Sequence, residues 1–314
     1  MIRRNLFAAA SALLLAFVLH GCFKMHQATT LFADGSGKLV VELALKKSML
    51  AFGGGMGGEE DPFAEFSDPL ALDEMWEGIS AWSTPEIEED GKWKRVRMTG
   101  WFEDINAVRR LAQDDDEESF EEFGEGGEES ADGDDAEAPD MSFTLTENDG
   151  LYELVLVDKD TMKLGEMTGG PDADEEGGEG DEDGAADDMA AGMMAMMKEM
   201  MEGFEIRLSF VVPGKIESVQ GFTSSEGRNA EMAISHEDMF PEDAESKEQA
   251  AARERLMSAE QRKITWRGND VSADELAAFK RELAEAKASW ATRLAAARAA
   301  LEKSARDSGD EESE

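Results

Sequence analysis

Cys22 is the single thiol in the 314-residue chain, and it stands directly after an apolar run. Arg3 and Arg4 precede that run, Leu6 to Leu19 form it, and Leu19-His20-Gly21-Cys22 closes it with a small residue before the cysteine. A basic start, a short apolar centre and a small closing residue are the parts of a secretion signal, and the run is too short to cross a bilayer. Past residue 21 the only imidazoles are His26 and His236, and neither stands beside a nucleophile motif. Gly35-Ser36-Gly37 lacks the spacing of a nucleophile elbow, so Ser36 reads as a turn residue, and His236, after a strand, reads as structural. Carboxylates are abundant, but 25 of the 72 fall in two acidic tracts that cannot hold a fixed catalytic geometry. The expectation is a protein that is not an enzyme, with no catalytic residue.

Two patterns resemble metal chemistry. Asp172-Ala173-Asp174-Glu175-Glu176-Gly177 with Asp183 imitates the start of an EF-hand loop, but Glu179 occupies an apolar position and the bidentate Glu is missing. Weak screening of Ca²⁺ by acidic tracts is the expectation there. Met189, Met193, Met194, Met196, Met197, Met200 and Met201 offer thioethers of the kind that bind Cu(I), yet their spacing reads better as a methionine-lined helix face filling an apolar groove. No metal site and no cofactor is assigned.

Leu19-His20-Gly21-Cys22 resembles the lipobox of bacterial lipoproteins. The resemblance implies cleavage after Gly21, a diacylglyceryl group on the Cys22 sulfur and an acylated amino terminus. At about 0.8 kcal/mol per buried CH₂, one acyl chain holds marginally and two or three hold for practical purposes permanently. No later stretch approaches the roughly 18 consecutive apolar residues of a membrane-spanning helix. The expected location is therefore the cell membrane or outer membrane, lipid-anchored, facing the periplasm or the exterior.

Residues 1–21 hold two basic residues and no acidic one, so their removal takes the formal charge from −41 to −43, which excludes a nucleic-acid binder. The charge is uneven. Residues 114–140 carry fifteen Asp or Glu and no Lys or Arg, and residues 171–188 carry ten and none. With Gly, Ala and Ser between the acids, such tracts bury too little apolar surface to offset the entropy of ordering, and inserts at about 53–62, 113–140 and 169–188 read as disordered.

The remaining chain must supply the frame. Residues 28–33 and 38–45 flank Asp34-Gly35-Ser36-Gly37 and alternate in polarity, which predicts a hairpin. Residues 68–82 carry Leu72, Met75, Trp76 and Ile79 at helical spacing and predict a short helix. Strands are predicted at 92–103, at 142–146 with 152–157 through Asn148-Asp149-Gly150, along 204–212, and at 215–220 and 228–235. The class is α+β: an antiparallel sheet with packed helices, acidic insertions and a long C-terminal helix. Ser272 and Glu275 form a capping box before Leu276, Phe279, Leu283, Ala286, Trp290, Leu294, Ala297 and Leu301, one stripe on a helix of about 30 residues. The organisation is a signal peptide at 1–21, a lipid-anchored domain at 22–240, a helical segment at 241–306 including a helix at 244–258, and an acidic tail at 307–314.

A cysteine at the mature terminus, the Asp34-Gly35-Ser36-Gly37 hairpin and a strand running through Val211-Val212-Pro213-Gly214-Lys215-Ile216 together resemble the LppM-type lipoprotein domain over about 22–235. The resemblance implies a compact α/β fold associated with binding lipids or lipoglycans at the cell envelope. Within strand 92–103, Val96, Met98 and Phe102 share one face while Trp93, Arg95, Arg97 and Trp101 share the other, and outward Trp and Arg suit a headgroup zone. The reading is an envelope lipoprotein without enzymatic activity that binds a lipidic or hydrophobic ligand or a protein partner, with self-association through the 272–304 helix as one route. The alternative is a Ca²⁺-responsive or metal-handling surface lipoprotein.

Overall fold

The computed structural model describes residues 23–47, 63–111, 141–158, 202–239, 256, 259 and 261–311. Cys22 and the signal, the three inserts, the EF-hand-like run, the methionine cluster and nearly all of 244–258 lie outside the described residues. The first strand, β1 (Phe23–Leu31), pairs antiparallel with β2 (Gly37–Lys46) from Phe23 opposite Leu45 to Leu31 opposite Gly37. Asp34 shapes the turn by accepting the Ser36 N–H at 3.1 Å, and Gly35 takes the left-handed conformation at φ 81°.

Two short helices follow, α1 (Ala64–Ser67) and α2 (Pro69–Met75). Asp68 accepts the Leu70 N–H at 2.9 Å as the cap of α2, and Pro69 occupies its first turn. The helix predicted over 68–82 stops at Met75, and the chain continues as β3 (Trp76–Glu77) and β4 (Ile79–Trp82). Gly78 forces that break: at φ 80° it lies so close to the Ala107 carbonyl that a Cβ would stand 2.1 Å from the oxygen. Trp76 and Trp82 are both buried, with ring centroids 6.1 Å apart, so the three-and-four spacing marks two bent strands rather than a helix face.

Next come β5 (Glu86–Glu89), β6 (Trp93–Phe102), a 3₁₀ turn at Ile105–Ala107 and β7 (Arg109–Arg110). The predicted second hairpin is β8 (Met141–Asn148) and β9 (Leu151–Asp158), turned by Asp149 at φ 52° and Gly150 at φ 73°. The last elements are β10 (Glu205–Val211), β11 (Lys215–Gln220), β12 (Ser224–Glu226), β13 (Asn229–Ser235), α3 (His236–Met239), β14 (Gln261–Arg267) and α4 (Ala273–Glu311).

The class is α+β, as expected, but the strands form two sheets, and one of them is mixed. The larger runs β12-β13-β10-β1-β2-β6-β4 with β5 beside β6, and within it β1 and β10 are parallel. The smaller runs β11-β14-β9-β8-β7-β3. Strand β14 lies inside the stretch read as a helical segment at 241–306, and it is an interior strand of the smaller sheet, between β11 and β9. Helix α4 also extends through Glu311, into the stretch read as a tail.

One core fills the space between the sheets, with Phe143 of the smaller sheet edge-on to Phe210 of the larger at 6.3 Å. Helix α4 lies on the outer face of the larger sheet and crosses its strands. Phe279 stacks on Phe32 at 4.4 Å, Arg293 donates to the Trp82 carbonyl at 3.0 Å, and Arg298 pairs with Asp73 at 3.3 Å. The helix thus runs from the β1–β2 turn over β6 and β4 to α2. Its capping box forms as read: Glu275 accepts the Ser272 N–H at 2.8 Å, and Ser272 accepts the Glu275 N–H at 3.2 Å.

Candidate functional site

The two ends of the strand layers differ in chemistry. The β1–β2 turn marks one end, where Gly35 lies near Leu145 and α4 begins. Phe23 marks the other. There the larger sheet aligns Phe23 opposite Leu45, Lys46 opposite Trp93, Lys24 opposite Glu205 and Glu205 opposite Ser235. The smaller sheet ends level with the middle of the larger: Gln27, at the centre of β1, contacts the Met141 sulfur at 4.0 Å, and Arg262 contacts the sulfur of Met232, at the centre of β13, at 3.1 Å.

Phe23, the residue after Cys22, is 4% exposed and its backbone is already in the sheet. Around it, the ammonium groups of Lys24 and Lys46 stand 5.3 and 5.8 Å from the centre of the Trp93 ring. Lys46 also donates to the Glu202 carbonyl at 2.5 Å, and Lys47 pairs with Glu89 at 2.9 Å. Glu205 receives Lys24 at 3.3 Å and His26 at 3.4 Å. Burial alone would raise the Glu205 carboxyl, but His26, Lys24 and Arg207 hold it below its ordinary value.

The face predicted for headgroups is divided by the fold. Trp93, Arg95, Arg97 and Trp101 do share the outer side of β6, since Val96, Met98 and Phe102 point into the core. Trp101, however, is covered by α4: its indole N–H donates to Glu282 at 3.0 Å and its ring packs with Phe32, Phe279 and Leu283. Arg95 pairs with Asp90 at 2.9 Å and stands opposite Glu88, and Arg97 stands opposite Glu86 and Glu42. These carboxylates come from neighbouring strands and the β5–β6 turn, and Trp93 with Arg95, which is level with Lys24 through Ala44, lies at the Phe23 end. Four residues that alternate as one stripe thus do not make one open surface, because a helix distant in sequence lies on one end of it.

The interior polar groups were not read from the sequence. Gln27, Thr29, Asp158 and Arg262 are all at most 4% exposed and face the space between the sheets. Burial pulls the Arg262 guanidinium below the ordinary arginine value, while the Asp158 charge acts in the opposite direction. Among the described residues there is no group of three or more His, Cys, Asp or Glu placed to hold a metal, and no helix long and apolar enough to cross a membrane. The sequence signals for Ca²⁺ or Cu(I) fall outside the described residues.

No family model matches the sequence, and no curated protein is significantly similar to it. Among solved structures, the chain is similar to the folded domain of LppM from Mycobacterium tuberculosis, determined by NMR, with 11% sequence identity and a TM-score of 0.31, over 82% of this chain and 94% of that one.

Proposed function

We propose that this chain is a bacterial envelope lipoprotein, held to its membrane by acyl chains on Cys22, that works without catalysis by binding a lipidic ligand or a protein partner. The observation that carries this reading is the position of Phe23. A buried, sheet-paired residue directly after the acylated cysteine leaves no spacer, so the Phe23 end of the larger sheet rests at the headgroup level. Trp93 suits that depth, with an apolar ring to bury and Lys24 and Lys46 beside it to meet anionic lipid. Helix α4 covers the outer face nearer the other end, where a protein partner would meet it.

Substitution of Cys22 by Ala tests the anchor. Incorporation of labelled palmitate should disappear, and the protein should leave the membrane fraction or remain there only with its signal uncleaved. Palmitate incorporated equally into the variant contradicts the proposal.

A further inference from the structure

Among the described residues Arg262 is one of the largest fully buried side chains, at 1% exposure, and its Nη1 and Nη2 have no hydrogen-bond partner there. Its Nε lies against the Met232 sulfur at 3.1 Å, a weak acceptor for a charged donor. The register shows what surrounds it. Arg262 is opposite Leu156 on β9, which places Asp158 diagonally across the same face. Asp158 is opposite Met141, whose sulfur contacts the Gln27 amide at 4.0 Å. Gln27 is opposite Leu208, and Leu208 is opposite Met232, which returns to Arg262. Arg262, Asp158, Met141, Gln27, Leu208 and Met232 thus close one interior layer, at the end of the smaller sheet and the middle of the larger. Two residues deeper, Thr29 Oγ1 is also buried without a partner.

A buried guanidinium with two unused nitrogens is costly: the Asp158 charge offsets it in part, but the hydrogen bonds that water gave Nη1 and Nη2 are not replaced among the described residues. Gly221 holds the side chain in place: at φ 73° it lies against the arginine stem, and a Cβ there would come within 2.8 Å of Arg262 Cγ. The parallel nitrogens of a fixed guanidinium match the two oxygens of a carboxylate or phosphate. The two thioethers and the leucines of the layer match an apolar body, while the Gln27 amide and the Asp158 carboxyl are its other polar groups. We infer that this layer is a binding site for an oxyanion attached to an apolar body, held bidentately by Nη1 and Nη2 of Arg262. The inference does not depend on acylation of Cys22.

Thermal unfolding of the mature chain, residues 22–314, tests it with two probes at matched ionic strength, decanoate and inorganic phosphate. A saturable rise in Tm with decanoate alone identifies an amphiphile as the source of the oxyanion, and a rise with phosphate alone identifies a free anion and overturns the apolar body. Arg262→Met should weaken either by about 10- to 100-fold. If Arg262→Met does not fold, the side-chain ¹⁵N resonances of Arg262 in the unsubstituted chain should shift on titration with the active probe. No saturable response to either probe, a response retained in Arg262→Met, or Arg262 resonances unmoved by the active probe overturns the inference.

Discussion

Asp34 joins the first turn of the fold to its last helix. Its carboxylate accepts from the Ser36 N–H at 3.1 Å, pairs with Lys280 on α4 at 2.7 Å, and receives the Ser36 hydroxyl. Burial acts to raise its pKa, but the hydrogen bonds from Lys280 and Ser36 outweigh it, and the group sits below its ordinary value. A depressed carboxyl contributes stability that is fully present above the unfolded value, about 3.9, and is lost as pH falls through the folded one. Asp34→Asn should therefore destabilise the protein at pH 7 by up to about 1 kcal/mol, since the pair is partly solvated and screened. Denaturant titrations should show that difference closing as pH falls through the acid range, and a difference constant with pH would contradict it. Ser272→Ala removes one half of the capping box on α4 and should cost about 1 kcal/mol at any pH where Glu275 is charged.

Helix α4 is attached along part of its length. Trp290 is 4% exposed in the core, whereas Leu301 is 36% exposed although it belongs to the same stripe. Trp290→Ala should cost about 3 to 5 kcal/mol and Leu301→Ala less than about 0.5 kcal/mol, read by chemical denaturation. The sequence showed the stripe but not where the body beneath it ends. Hairpins were legible for a local reason: Gly35 and the Asp149-Gly150 pair specify turns whose strands are adjacent in sequence. The parallel pairing of β1 with β10 joins residues such as Lys24 and Glu205, and no local rule connects them. Strand β14 was missed because its inward positions are Arg262, Ile264 and Trp266, and an arginine at a core position breaks the alternation that marks a half-buried strand. That arginine is also the residue on which the interior site depends. The stripe of Trp93, Arg95, Arg97 and Trp101 was correct as a strand face and incomplete as a surface, since its cover, α4, comes from residues about 180 positions later.

For the molecule as a whole, two charge effects oppose each other. Lys24, Lys46 and Trp93 stand beside Phe23, while residues 114–140 add fifteen acids and no base to a chain that is already acidic. The mature chain produced without acyl groups should therefore bind anionic vesicles weakly, and deletion of residues 114–140 should strengthen that binding by removing repulsion. In the deleted form, Lys24→Glu with Lys46→Glu should abolish most of it, each basic residue near the surface being worth about 1 kcal/mol. Co-sedimentation unchanged by the charge reversals would remove the headgroup contact while leaving the acyl anchor intact. The anchor itself has a direct test. Protein purified from its own membrane and digested with trypsin should release Cys22-Phe23-Lys24 as its amino-terminal peptide, with a mass increased by a diacylglyceryl group and an N-acyl chain. A peptide beginning at any other residue, or Cys22 recovered as a free thiol, would contradict the account.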